Sequence, residues 1–126
     1  MSEPIGEFSL THIGNTYGTN TAGDITSSIN FQGNALGFGP VWGTLISSNH
    51  LSDSNATSGE IQWVGQAFLD DGSVLGGIGK GTWQKPENEH KWKLILLINL
   101  SDGGKHRTEG SIDLETLVYS GKIYSA

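Results

Sequence analysis

The stretch that decides the fold runs Glu60-Ile61-Gln62-Trp63-Val64-Gly65-Gln66-Ala67-Phe68-Leu69, followed by Asp70-Asp71-Gly72-Ser73 and then Val74 to Gln84. Ile61, Trp63, Gly65, Ala67 and Leu69 fall on one side of a period-2 pattern, with Glu60, Gln62, Val64, Gln66 and Phe68 on the other. Strict alternation over this length is the signature of a half-buried strand. Asp70 to Ser73 supplies a hairpin signal, because Asp-Gly tolerates the positive φ that a tight turn needs. The returning strand carries Gly76, Gly77, Gly79 and Gly81 and stops at Pro86-Glu87-Asn88-Glu89. Glycines inside a strand mark sharp coiling or close approach of another group.

Working outward, the same rhythm continues in both directions. Downstream, Lys91 to Leu100 alternates Trp92, Leu94, Leu96, Ile98 and Leu100 against Lys91, Lys93, Ile95, Leu97 and Asn99. Ser101-Asp102-Gly103-Gly104 turns it into a strand from Lys105 to Leu114, and Glu115-Thr116 turns that into a last strand from Leu117 to Tyr124. Upstream, Gly6 to Ile13 places Phe8, Leu10 and His12 on one face, and Asn15 to Gly23 reads as a polar connection. Ile25, Ser27, Ile29 and Phe31 alternate with polar residues. A third strand, Gly37 to Ser47, carries Phe38, Trp42 and Ile46 at even positions, and Asn49 to Gly59 is a second polar loop. No stretch sustains a helical stripe for three turns. About eight antiparallel strands in chain order leave two raw edges unless the sheet closes on itself. The expected fold is therefore all-β: one domain over residues 1–126, a small closed eight-stranded up-and-down barrel, wide enough to be filled by side chains or to hold one small ligand.

Composition narrows the function classes. The 126 residues include 19 Gly, about twice the ~7% usual for globular chains. Seven Lys and Arg against 13 Asp and Glu give a net charge of −6, without the basic cluster that phosphate binding needs, so nucleic acid is not an expected partner. The absence of Cys excludes disulfides, thiolate nucleophiles and Cys-ligated metals. Met1 to Gly6 has neither a basic nor an apolar signal region, and the longest apolar run, Leu94 to Ile98, is far short of a bilayer span. A soluble, cytoplasmic protein without a membrane partner is the expectation. Asn55-Ala56-Thr57 matches a glycosylation sequon, read as chance without a secretory signal.

Gly65 to Gly72, then Gly79-Lys80-Gly81-Thr82-Trp83, resemble the hairpin of allene oxide cyclase-like barrels, and Glu109 to Leu114 and Tyr119 to Tyr124 are similar to the last two strands of such proteins. The likeness covers residues 59–126. It implies a compact barrel with an apolar cavity open at one end, dimers or trimers, and ring-closing reactions guided by pocket shape. No catalytic residue of that family maps onto this chain. Avidin-like barrels, which also use a Gly-Thr-Trp within eight strands, are a competing resemblance.

The candidate site residues come from the faces. His12 shares a face with Phe8 and Leu10, and a neutral imidazole in an apolar cavity could act as acid, base or hydrogen-bonding group; a core or rim histidine is the plainer alternative. His12, His50, His90 and His106 form no His-x-His pair, so no metal is expected. Glu60 and Glu109 are candidate catalytic carboxylates if they face inward, where desolvation would raise their pKa. Their neighbours, Gln62 and Gln66 for Glu60 and Lys105, Arg107 and Ser111 for Glu109, read instead as solvated faces. Gly77-x-Gly79-x-Gly81 lies inside a strand and is no nucleotide fingerprint. Phe38, Trp42, Trp63, Trp83, Trp92 and Tyr119 are the expected ligand-binding residues. So many aromatics overfill a narrow barrel, so some must line a cavity, an interface or the outer wall. The sequence thus points to a small-molecule-binding barrel with an apolar, Trp- and Tyr-lined cavity, acting on a hydrophobic molecule as a cofactor-independent cyclase or isomerase. The rival reading is a non-catalytic carrier or a homo-oligomeric structural barrel.

Overall fold

The structure, a computed structural model, describes residues 3–35 and 38–126. Eight strands follow one another: β1 (Gly6–Thr19), β2 (Ile25–Ala35), β3 (Gly39–Asn49), β4 (Ser58–Phe68), β5 (Val74–Gln84), β6 (Lys91–Leu100), β7 (Lys105–Asp113) and β8 (Val118–Ser125). A 3-10 turn at Leu51–Asp53 interrupts the β3–β4 connection. Each strand pairs antiparallel with the next, and β8 returns to β1 from Gly6↔Ile123 to Thr11↔Val118, closing the barrel. Among the described residues no helix is long and apolar enough to cross a membrane.

The alternation read from the sequence faces the way it must for one buried side. Phe8, Leu10, Phe31, Leu45, Ile61, Trp63, Trp83, Leu94, Leu96, Tyr119 and Ile123 form the core, with Phe31, Leu45, Leu94 and Leu96 wholly enclosed. The Asp71–Gly72 hairpin is built as its residues demand. Gly72 has φ +89°, and Asp71 Oδ1 accepts bonds from the Ser73 amide (2.9 Å) and hydroxyl (2.6 Å), which hold its carboxyl below the usual carboxylate range.

The glycines solve the overfilling problem. A Cβ at Gly43 or Gly65 would run into the Trp63 indole, and one at Gly59 into the Trp83 indole. Each indole is therefore laid against a bare stretch of neighbouring backbone, so that it covers the wall and leaves space in the middle. On β5, a Cβ at Gly81 would strike the Ile95 carbonyl, so this stretch lies closer to β6 than any side chain permits.

Two expectations need correction. Asn15 to Thr19, read as a polar connection, continues β1, because β2 supplies a hydrogen-bonding partner through to Thr19↔Ile25. Trp42, expected in the cavity with Phe38, is 60% exposed on the outer wall, where its ring meets Phe68 at 5.0 Å. The inward positions of β3 are Val41, Gly43 and Leu45: Gly43 must face inward to receive Trp63, and Gly39, at φ +92°, separates Phe38 from the strand's alternation. The expected start of that strand at Gly37 lies outside the described residues. The barrel closes as expected, and past its closed part the wall continues on one side only. β3 stays paired with β4 only up to Ile46↔Gln62, and β1 with β8 only up to Thr11↔Val118. Beyond those points β1, β2 and the end of β3 run on together as a three-stranded extension.

Candidate functional site

Among the described residues two pockets reach into the interior, one toward each end of the barrel, with no lining residue in common. The first, of about 140 Å3, opens at the end where the three-stranded extension departs. Trp83, Trp92, Leu45, Ile61, Leu94 and Ile112 make its apolar wall, and His12, Asn15, Ser47 and Asp113 bring polar groups to it.

A β-bulge creates the polar side. The β1–β2 register shifts between His12 and Gly14, so that His12 opposes Phe31 while Asn15 opposes Ile29. Unbroken alternation would send residues three apart to opposite faces; the extra residue brings His12 and Asn15 to the same one. His12 Nε2–H donates to Asn15 Oδ1 at 2.6 Å, and Asn15 Nδ2 donates to the Tyr17 hydroxyl at 3.0 Å. Fixing the tautomer in this way leaves the lone pair of a neutral imidazole on Nδ1. The His12 amide donates to the Leu117 carbonyl at 2.8 Å, which ties this part of β1 to the β7–β8 turn after their strand pairing has ended. Leu117 itself has φ +59°, a strained conformation for a branched residue, and it lines the same pocket. Asp113 is already engaged. Its Oδ1 accepts the Glu115 amide at 2.9 Å and its Oδ2 lies 3.8 Å from Lys91 Nζ, so it shapes the turn.

The second pocket, of about 100 Å3, occupies the opposite end and is almost wholly apolar. Phe8, Trp63, Ala67, Leu96 and Leu100 line it, with Phe38 and His106 edge to face at 5.4 Å. Tyr119 and Thr108 are its buried polar residues. Burial pushes the Tyr119 phenol above its ordinary pKa, with the nearby Thr108 hydroxyl pulling weakly the other way. The two hydroxyls are close enough to influence each other, but Thr108 Oγ1 makes no well-formed hydrogen bond among the described residues. Phe31 stands between the two pockets, with its ring centroid 5.8 Å from His12 and 5.4 Å from Tyr119, and Tyr119 in turn meets Phe8 edge-on at 4.9 Å.

The expected site residues are thus distributed. His12, Trp83 and Trp92 come together in the first pocket, while Phe38, Trp63 and Tyr119 come together in the second. Trp42, Glu60 and Glu109 join neither. Glu60 is exposed on an outer groove beside Gln62, Lys80 and Thr82, and Glu109 pairs outside with Arg107 at 2.8 Å, whose guanidinium stacks 4.7 Å from the Tyr124 ring. These carboxylates obey the solvated-face pattern of their strands. Sequence reasoning missed Asn15 and Tyr17, hidden in a segment read as loop, and Thr108, which looks like any strand threonine. Among the described residues no three His, Asp or Glu side chains gather closely enough to hold a metal ion. No protein-family model, no characterised protein and no solved structure matches this chain.

Proposed function

We propose that this barrel binds a small, largely apolar molecule in the pocket beneath His12. The observation that carries this reading is the bulge-built pairing of His12 with Asn15 above a floor of Trp83 and Trp92. An apolar pocket with few convergent polar groups is the usual form of a small-molecule site. The walls take up the ligand's hydrocarbon body, and the imidazole Nδ1 accepts a bond from its hydroxyl or amine. A cyclase or isomerase version follows from the same geometry and from the resemblance of residues 59–126 to allene oxide cyclase-like barrels. There the pocket folds a flexible substrate, and His12 takes and returns one proton without a cofactor. Glu60 and Glu109, on the outer wall, take no part.

The test is a fluorescence titration with the uncharged dye N-phenyl-1-naphthylamine. Saturable dye enhancement with quenching of the indoles is expected. Ser47→Phe, which puts a ring into the pocket, should weaken binding at least tenfold. A linear, unsaturable response in the native protein would contradict the proposal.

A second reading, a homo-oligomeric barrel, has its own support on the outer wall. Trp42, Val64, Ile78, Ile95 and Leu97 stand exposed across β3 to β6, with Val64 directly opposite Ile78. Together with Val74 they offer on the order of 600 Å2 of apolar surface, at the top of the range for monomers. With the polar residues between them, this approaches the ~800 Å2 per partner of a stable interface. The occupant that fits is a second copy of this chain, because a stripe in which Lys80 and Arg107 flank Leu97 and Glu109 flanks Ile95 can set opposite charges against each other about a two-fold axis. Analytical ultracentrifugation should then give a dimer that Leu97→Glu dissociates; a monomer at 100 µM (about the upper end of such runs) would dismiss it.

A further inference from the structure

The pocket at the opposite end has a chemistry of its own. Its lining is hydrocarbon and aromatic apart from Tyr119, Thr108, His106 and Gln66, and Thr108 is 7% exposed with its hydroxyl unpartnered among the described residues. Buried hydroxyls are nearly always hydrogen-bonded, so an orphan beside a pocket calls for an explanation. Tyr119, 2% exposed, holds its phenol neutral through desolvation, so it has a proton to donate, and its hydroxyl lies near that of Thr108. At about 100 Å3 the pocket is smaller than the ~150 Å3 closed apolar cavity known to take up benzene, but it is open at one side, so a short chain fits within it and a ring enters with its far edge toward solvent. The buried Phe31 ring packs between His12 and Tyr119, and the two pockets share no lining residue, so each can be filled without the other.

We infer that this second pocket is a separate binding site for an uncharged, single-ring or short-chain molecule carrying one hydroxyl, with the hydroxyl lodged between Thr108 and Tyr119 and the hydrocarbon against Trp63, Phe8 and Leu96. The lining explains the selectivity. Among the described residues its lining holds no lysine or arginine, so an anion would lose its hydration largely uncompensated. A molecule without a polar group would leave Thr108 as it is, unsatisfied. The ligand hydroxyl accepts from Tyr119 and donates to Thr108 Oγ1, which lies buried behind the pocket surface and meets the ligand by rotation of the threonine side chain. The site goes beyond the proposed function, since it uses none of the residues of the His12 pocket.

Phenol and benzene are the probes, followed by amide and indole N–H shifts in 1H–15N NMR titrations of the whole protein. Phenol should bind saturably, shifting Thr108, Tyr119 and the Trp63 indole, with a Kd at least fivefold below that of benzene. A purely apolar cavity would give the reverse order, because benzene leaves water more readily. Thr108→Val should erase the preference for phenol, Thr108→Ser should keep it, and Ser47→Phe at the other end should change neither Kd more than twofold. Ala67→Leu, which fills the pocket, should abolish both. Equal binding of the two probes, tighter binding of benzene, shifts confined to the His12 end, or no saturable shift would each overturn the inference. If Thr108→Val fails to fold, the native phenol-to-benzene ratio and Thr108→Ser still decide.

Discussion

The two ends of this barrel are made from the same alternating sequence and behave differently. At the Tyr119 end β1 pairs with both β2 and β8, and the pocket there is lined by side chains pressed against glycine backbone. At the His12 end β8 and β4 fall away from their neighbours, and β1, β2 and β3 continue without them. At the first end the strands pair all the way round, and an unpartnered hydroxyl among the described residues is buried there. At the second the wall stands open between β1 and β8 and between β3 and β4, and a bulge aims a histidine at the pocket. The two pockets are comparably open to solvent, so the ends differ in what lines them: hydrocarbon at the first, groups that can move a proton at the second.

The contrast can be broken by putting the same substitution in both regions. Gly81→Ala must push β5 off the Ile95 carbonyl and should cost more than about 4 kcal/mol or prevent folding. Gly18→Ala, in the extension, meets only the Thr26 hydroxyl at 3.2 Å and should stay within about 0.5 kcal/mol. Urea denaturation of both variants makes the comparison. A smaller effect comes from two tryptophans: Trp63→Ala should lose about 3 kcal/mol and Trp42→Ala less than about 1, since one is laid on Gly43 and Gly65 and the other faces solvent. Equal costs would mean that the inward and outward faces have been assigned wrongly.

Alkaline titration sharpens the account of the closed end. The Tyr119 pKa is raised in the folded state, so below about pH 10, the ordinary phenol value, both states keep the proton and stability is unaffected. Above it the unfolded chain releases a proton that the folded one retains, and stability falls by about 1.4 kcal/mol per pH unit from this group. Tyr119→Phe should flatten that part of the profile by one proton. The smallest change belongs to the open end. Asn15→Ala removes two exposed hydrogen bonds and should cost under about 1 kcal/mol. Yet it should broaden the His12 ring resonances and weaken binding of hydroxyl-bearing ligands in that pocket.

Much of the barrel was legible because its determinants are local. Val74 to Gln84 and Lys91 to Leu100 have the bounds their alternation and turns indicate, and the Asp71-Gly72 hairpin forms as its residues require. The β1 extension was not legible, because Asn15, Thr16 and Thr19 have loop-like propensities and become a strand only through pairing with β2. Trp42 was misread for a related reason. Size argued for burial, but which side of β3 faces inward is decided by Trp63, on the next strand, needing a glycine to lie on. For the candidate site, His12 stood out beside Phe8 and Leu10. Its partnership with Asn15 rests on a bulge at Ile13 that no residue type announces, and the isolation of Thr108 is a property of the folded interior alone.

The central claim is that the open end holds a ligand, and an NMR titration with N-phenyl-1-naphthylamine tests it most directly. Saturable shifts at the His12, Ser47, Trp92 and Ile112 amides and the Trp83 indole N–H, with Leu97 and Ile78 on the outer wall unmoved, are the predicted result. Shifts centred on the outer stripe of Val64, Ile78 and Leu97, or none that saturate, would contradict it.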